Sequence, residues 1–409
     1  MTVDPVSTAP PRAESGALDE ALLDTVTRQV ITRAAEDLWP GEPVTLAPQY
    51  PGAESHVCRV TVGDEELIAK HSWLGLPLVS VLRGIGGTWA EIQAAQSAYV
   101  RSTELLTAGE ARALEFLRGL DRPWVCETAG LCDGALFTRP VDGIPLADAL
   151  ADRPLETRDL LDAVLASLAA LHSPATVTRL RRAQMPRERS IVDDFQKTFR
   201  GPHADRYLGA LGQDSGLPEH ERQEIVDFVR TAVRRLLRMA TSVSSRKRIA
   251  VYGDLKPEHV YIDGPRLTFI DPAVQWAPGP HLDIVRLTGR ALLIALGHPE
   301  VRARHQIVQG SAAVLAQHVA AVPERDRMAH LREVLILWLM DTLIVLSTLL
   351  SAPPGFPLMP RGQALVARAR AVAGVVDRAS ALLVGSMAGI RLLDAVFAEV
   401  EHTADGGAV

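Results

Sequence analysis

The sequence predicts an α+β protein in two unequal parts, a small β-rich front and a larger helical back. Two observations carry this. Short apolar-alternating segments punctuated by Gly, Pro and Asp concentrate before residue 140: "PVTLAPQ", "HVCRVTVG", "ELIAKHSW", "PWVCETAG" and "DGALFTRPV". From "IPLADAL" onward the apolar spacing is helical, interrupted only by a β-rich stretch at 249–274.

Taken in order, residues 1–17 are Pro-rich and acidic, which predicts a flexible start, and they show neither the basic nor the apolar region of a signal peptide. The front part spans 18–140 and opens with helical spacing over 18–37. Three β segments follow, separated by "YPGAES" and by a turn at Gly63-Asp64. An insertion at about 72–105 precedes or overlaps a helical pattern from Trp89 to Leu120. It contains "RGIGG" (Arg83 to Gly87), which looks phosphate-binding but follows Lys70 instead of preceding it, so a loop within the insertion is the expectation. "PWVCETAG" and "DGALFTRPV" read as a hairpin, with Cys126 and Cys132 as strand residues flanking a turn at Ala129-Gly130. The back part, 141–402, begins near Pro140–Pro145, and 403–409 is a flexible tail. Within it, the apolar run Val334 to Leu350 carries Asp341 at its middle, which predicts a buried helix over a membrane span.

Composition narrows the class. With 47% hydrophobic and 22% charged residues the chain can build a real core. A formal net charge of −6 gives no general attraction to nucleic acid or to an anionic membrane. Three cysteines form neither a disulfide framework nor a C-x-x-C metal pattern, so a reducing cytoplasm is expected.

The chemistry concentrates in "VYGDLKPEHVYIDG" (251–264) and the following "LTFIDP". Transfer of a phosphoryl group asks for an orienter or base for the attacking hydroxyl, cations against the phosphates, and ligands for a metal. A strand-loop-strand unit can supply these from one place, with Asp254 and Lys256 at the start of the loop, His259 at its end and Asp271 beyond the turn. "YGDLKPEHVYID…LTFIDP", followed by "PHLDIVRL", resembles the catalytic and metal-binding segment of the aminoglycoside phosphotransferase and protein kinase-like superfamily. Its usual pattern is H-G-D-L-x-x-x-N, then I-D-P or I-D-F, then D-L-A-x-L. Tyr252 replaces the usual histidine, and His259 stands at the usual asparagine.

The resemblance covers roughly 43–295 and implies a bilobal kinase-like fold with ATP between a small β-rich lobe and a large helical one. It implies that Asp254 is the catalytic aspartate, that Lys256 reaches the γ-phosphate, and that Asp283 braces the loop from below. Asp271 would hold Mg²⁺, with Mn²⁺ as the alternative because His259 offers nitrogen where magnesium prefers oxygen. Lys70 would hold the α- and β-phosphates, paired with Glu110 or with its rivals Glu104 and Glu115. Gly52 and Ser55 of "YPGAESHV" would offer backbone amides to the phosphates. "ALFTRPVDGIPLADAL" resembles the hinge, and "LLDAVLASLAALHS" a helix closed by the structural His172. The basic "RLRRAQMPRER" (Arg179 to Arg189) falls where such proteins build a substrate site, although a solvated face accounts for it as well. The implied acceptor is a hydroxyl of a small molecule such as an antibiotic, a sugar or another secondary metabolite. A Ser or Thr of a precursor peptide is the second reading, since "DLKPE" is the protein-kinase form of the loop. An inactive kinase-shaped binding partner is the third. Beyond residue 300 nothing but helices is recognisable, and a homodimer contact is expected there.

Overall fold

The computed structural model describes residues 20–52, 54–183, 190–201, 204–244, 246–387 and 389–405. The N-terminal start up to residue 19, residues 406–409 and residues 184–189 of the basic cluster lie outside them, while Thr403 and Ala404, expected in a flexible tail, are instead buried at the end of the helix Ile390–Ala404.

In the front lobe, helix α1 (Glu20–Leu38) covers one face of an antiparallel five-stranded sheet. The strands are β1 (Val44–Gln49), β2 (His56–Val62) and β3 (Glu65–His71), then, after a two-residue β4 (Trp124–Val125) outside this sheet, β5 (Thr128–Cys132) and β6 (Ala135–Thr138). Their order is β1-β2-β3-β6-β5. Cys58, Val60, Leu67, Ala69 and Phe137 pack with Ile31, Ala34 and Ala35 of α1 into a small core. Because side chains alternate along a strand, burying Leu67 and Ala69 against α1 sends Lys70 to the opposite face, towards the other lobe.

The insertion after β3 holds α2 (Leu78–Leu82) and α3 (Trp89–Tyr99), followed by α4 (Leu106–Arg118). The Arg83–Gly87 stretch is the turn into α3, whose start is closed by a capping box between Thr88 and Glu91. The insertion spans both lobes. Arg83 donates to the Ser351 carbonyl at 2.7 Å and pairs with Asp214 at 2.7 Å, while Phe356 packs against Trp73, Leu78 and Ile92.

The expected hairpin around Ala129-Gly130 is corrected. β5 continues through these residues, with a register shift between Thr128 and Gly130, and turns at Asp133-Gly134, with φ of +46° and +78°. Positive φ at both central residues is the type I′ hairpin turn, which Asp-Gly adopts readily and Ala-Gly does not. Trp124–Val125 leaves this hairpin and pairs in parallel with a strand of the back lobe, and Cys126 is buried just after it.

That partner belongs to a second sheet, built from β7 (Ile144–Pro145), β9 (Val260–Asp263) and β10 (Arg266–Phe269), in the order β4-β10-β9-β7. A separate antiparallel pair joins β8 (Ile249–Val251) to β11 (Gln275–Ala277). The rest of the back lobe is helical around one large core. Its helix Glu324–Leu350 is long and apolar enough to cross a membrane, but 72% of its most apolar window is buried in the lobe. Asp341 at its middle is buried opposite Arg290, 3.0 Å away, on the helix His281–Gly297.

Buried histidines give the fold a pH dependence. Burial, with His56 adding to it, lowers the pKa of His71 to about 4. Burial does the same for His318, helped by His330, His281 and His172. A histidine harder to protonate when folded binds fewer protons in that state, so its contribution is complete above pH 6.5 and is lost as pH falls towards 4. Each such histidine costs about 2 kcal/mol at pH 5. Denaturant titrations at pH 7.5 and 5.0 should therefore show a difference smaller by about that amount in His71→Asn than in the wild type. Identical differences would remove His71 from this account.

Candidate active site

Three constraints shape the loop that joins β8 to β9. The β8–β11 ladder clamps its base, and the Ala273 amide donates to the Tyr252 carbonyl at 3.0 Å. Asp283, at the start of the helix His281–Gly297, accepts the Tyr252 amide at 2.7 Å and the Gly253 amide at 2.8 Å. Burial pushes the Asp283 carboxyl up to about 6, against those two hydrogen bonds. The third constraint is the Tyr252 hydroxyl, which donates to the Ile270 carbonyl at 2.7 Å across the hairpin. Gly253 adopts φ +90°, where an added Cβ would lie 2.0 Å from the Ala273 carbonyl oxygen, so only glycine fits.

The hairpin explains how residues distant in sequence meet. β9 and β10 pair from Val260↔Phe269 to Asp263↔Arg266, and beyond the last pair the Ile270 amide donates to the His259 carbonyl at 2.9 Å, so Asp271, the next residue, is brought beside His259 at the open end. His259 Nε2 lies 3.5 Å from Asp271 Oδ2. Asp254, His259 and Asp271 each place a ligand atom within 4.8 Å of the others.

This donor set fits a divalent cation, and the orientation of His259 is the observation that says so. Its Nδ1 is 2.9 Å from the Asp254 carbonyl oxygen, an acceptor, so Nδ1 carries the proton. In the neutral ring Nε2 is then a lone pair facing a carboxylate oxygen, an arrangement that calls for a cation between them or a second proton on the ring. A backbone carbonyl holding the far nitrogen is how metal-binding histidines are usually oriented. Asp271 itself sits at φ +57°, a left-handed conformation that aspartate tolerates better than most residues.

The front lobe supplies the cationic side. Lys70 Nζ lies 2.7 Å from Glu110 Oε2 and 2.5 Å from Asp271 Oδ1. Of the rival glutamates, Glu104 precedes α4 and Glu115 is on its exposed face. Burial opposes the charge of Lys70, but Asp271 and Glu110 outweigh it and raise the ammonium above its ordinary range. Two carboxylates share this one cation unequally. Burial pushes Glu110 above the usual carboxylate range against the pull of Lys70, whereas in Asp271 Lys70 and His259 overcome burial and hold the carboxyl below it.

Lys256 is buried, 3.0 Å from Asp254 Oδ2 and 3.2 Å from Glu54 Oε1. Glu54 lies on the β1–β2 connection between Gly52 and Ser55, so this connection reaches the loop through a side chain as well as offering its backbone. The other oxygen of Asp254 meets Arg286, from the same helix as Asp283. Sequence reasoning missed both Glu54 and Arg286. The signal for Arg286 was its place three residues after Asp283, which puts the two on one helical face. Arg179 of the basic cluster is not at this site: it donates to the Gly119 carbonyl and lies over the Phe116 ring, 5.3 Å from its centroid.

Residues 49–273 match the family model described as the phosphotransferase enzyme family, more than half of the chain. The chain belongs to that family. The phosphotransferase is a kinase-type enzyme with a hydroxyl group as acceptor, and its two lobes form a kinase-like fold. The matched segment includes Lys70, Glu110, Asp254, His259 and Asp271, and ends before Asp283 and Arg286. A comparison with curated proteins finds no match. Among solved structures, the phosphotransferase is similar to the aminoglycoside phosphotransferase APH(4)-Ia, at 12% identity and TM-score 0.45, over 86% of this chain and 98% of that one. It is also similar to an ethanolamine kinase from Plasmodium vivax, at 10% identity and TM-score 0.44, over 87% of this chain and 91% of that one.

Proposed function

We propose that this phosphotransferase moves the γ-phosphoryl group of ATP to a hydroxyl of a small molecule. The observation that carries the reading is the convergence of Lys70 and Glu110 from one lobe on Asp271, His259 and Asp254 from the other. Nearly all the catalysis that phosphoryl transfer needs is positioning and charge, and this set provides both. Lys70, held by Glu110, binds the α- and β-phosphates. Asp254 accepts the hydrogen bond of the attacking hydroxyl and aims it. Lys256 neutralises the transferred group. Asp271 and His259 hold a divalent cation, and bound there the cation would neutralise charge on the triphosphate.

The test is ATP binding and turnover with Mg²⁺ or Mn²⁺, first without acceptor and then with panels of aminoglycosides, sugars and amino alcohols. Absence of metal-dependent nucleotide binding under either ion would sink the reading. The retained Lys256 of the "DLKPE" loop favours adding Ser- and Thr-containing peptides to the panels. A peptide accepted over every small molecule would replace the acceptor class and leave the chemistry standing.

His259 has its own expected result. If its nitrogen ligates the cation, His259→Asn replaces imidazole by an amide oxygen, which suits magnesium better. The ratio of Mn²⁺- to Mg²⁺-supported turnover should fall about tenfold, measured as kcat/KM for ATP. An unchanged ratio removes His259 from the metal site.

A further inference from the structure

The two oxygens of Asp254 are held by cations of different kinds. Oδ1 meets Arg286, whose side chain is 7% exposed and rises from the helix that also grips the loop backbone through Asp283. Oδ2 faces Lys256, 3.0 Å away. Lys256 is itself drawn towards Glu54, whose side chain is 55% exposed and belongs to the front lobe. The Arg286 contact is thus fixed inside the back lobe. The Lys256 contact is shared across the cleft with Glu54 of the β1–β2 connection. Phosphate oxygens arriving near Lys256 compete with both of its carboxylates, and a charge-assisted bond to phosphate is among the strongest the lysine can make.

Resting on the phosphotransfer reading, we propose that Arg286 is a positioning residue that anchors Asp254 through Oδ1 and reserves Oδ2 for the acceptor hydroxyl. Arg286 does not touch the reactants. It fixes the rotamer of Asp254 and prevents the carboxylate from presenting Oδ1 to the acceptor, while Lys256 leaves Oδ2 for the γ-phosphate as the nucleotide binds. The guanidinium suits this role because it remains charged when buried and holds its donors in a rigid plane. The arrangement also gives Glu54 a part: it keeps Lys256 within reach of the loop before nucleotide arrives.

The experiment uses the full chain and follows ATP hydrolysis, with water as acceptor, in wild type, Arg286→Gln, Arg286→Lys and Asp254→Asn. ATP binding is measured by titration calorimetry, and the fold of each variant is checked by thermal melting. Arg286→Gln should lower kcat about 100-fold with KM and Kd for ATP within twofold of wild type, the loss expected when a reacting group is misplaced by about 1 Å. Arg286→Lys should recover at least tenfold of that loss, since a cation at the same depth still draws Oδ1. Hydrolysis that depends on Asp254 but survives Arg286→Gln within threefold overturns the role of Arg286 alone. So does a lysine variant that folds as well as the glutamine variant and is equally slow. A wild type without Asp254-dependent hydrolysis overturns the phosphotransfer reading, and the role of Arg286 with it.

Discussion

Replacing Asp254 by Asn should lower turnover about 10³-fold while nucleotide binding stays within a few-fold of wild type. Asp254 is 1% exposed and is paired with Lys256 and Arg286, whereas Lys70 and Glu110, the groups proposed to hold the triphosphate, pair with each other. The amide keeps the size and one acceptor oxygen of the carboxylate, so the loop retains its Asp283 and Tyr252 hydrogen bonds. What disappears is the negative charge that balances two cations and is proposed to orient the acceptor hydroxyl. Arg286 then stays buried with a weaker partner, and removing one side of a buried pair destabilises. A lower melting temperature should therefore accompany the loss of rate. Asparagine is the informative substitution for this reason, since alanine would leave Arg286 facing a void. Single-turnover measurements at saturating ATP separate chemistry from binding, and a kcat within tenfold of wild type would take the catalytic role from Asp254.

Asp271→Asn should act on the other half of the reaction, lowering kcat/KM for ATP about 10²- to 10³-fold, mostly through loss of metal-dependent nucleotide binding. Three features of Asp271 make the expectation specific. Its φ of +57° is one that asparagine adopts as readily as aspartate, so the backbone has no reason to move. Its Oδ1 is 2.5 Å from Lys70, and after substitution the lysine still has Glu110 at 2.7 Å. Its Oδ2 faces His259 Nε2 at 3.5 Å, the contact proposed to become a shared cation site. Calorimetric titration with ATP should show affinity that no longer rises when Mg²⁺ or Mn²⁺ is added. Wild-type-like metal dependence would move the cation to other ligands. With Asp254→Asn, the pair separates the two functions: one variant binds and does not turn over, the other fails to bind with metal.

Local pattern was enough to read much of this protein from its sequence. The run of short alternating segments put Lys70 on a strand, the third after two β segments, as it is in the fold. The strand-loop-strand pattern put Asp254, Lys256 and His259 on one loop and Asp271 beyond the turn, and the hairpin register has that form. The apolar run interrupted by Asp341 read as a buried helix, and in the fold that carboxylate faces Arg290. Each of these follows from spacing of two or 3.6 residues, which the chain imposes on itself.

What spacing could not decide were contacts between segments with no register in common. Glu110 sits beside Lys70 because α4 turns that face to the sheet, whereas Glu115 is on the exposed face and Glu104 precedes the helix. Val125 pairs with the back lobe instead of its neighbouring hairpin, because Asp133-Gly134 holds the turn that Ala129-Gly130 was expected to make. Glu54 meets Lys256 across 202 residues of sequence, and Arg286 meets Asp254 across 32. The sequence alone named Lys70, Glu110, Asp254, Lys256, His259 and Asp271 as groups this phosphotransferase could use, and did not name Glu54 or Arg286. Only the packing of the two lobes decided which charge faces which, because burial and Coulomb attraction act through space and carry no period along the chain.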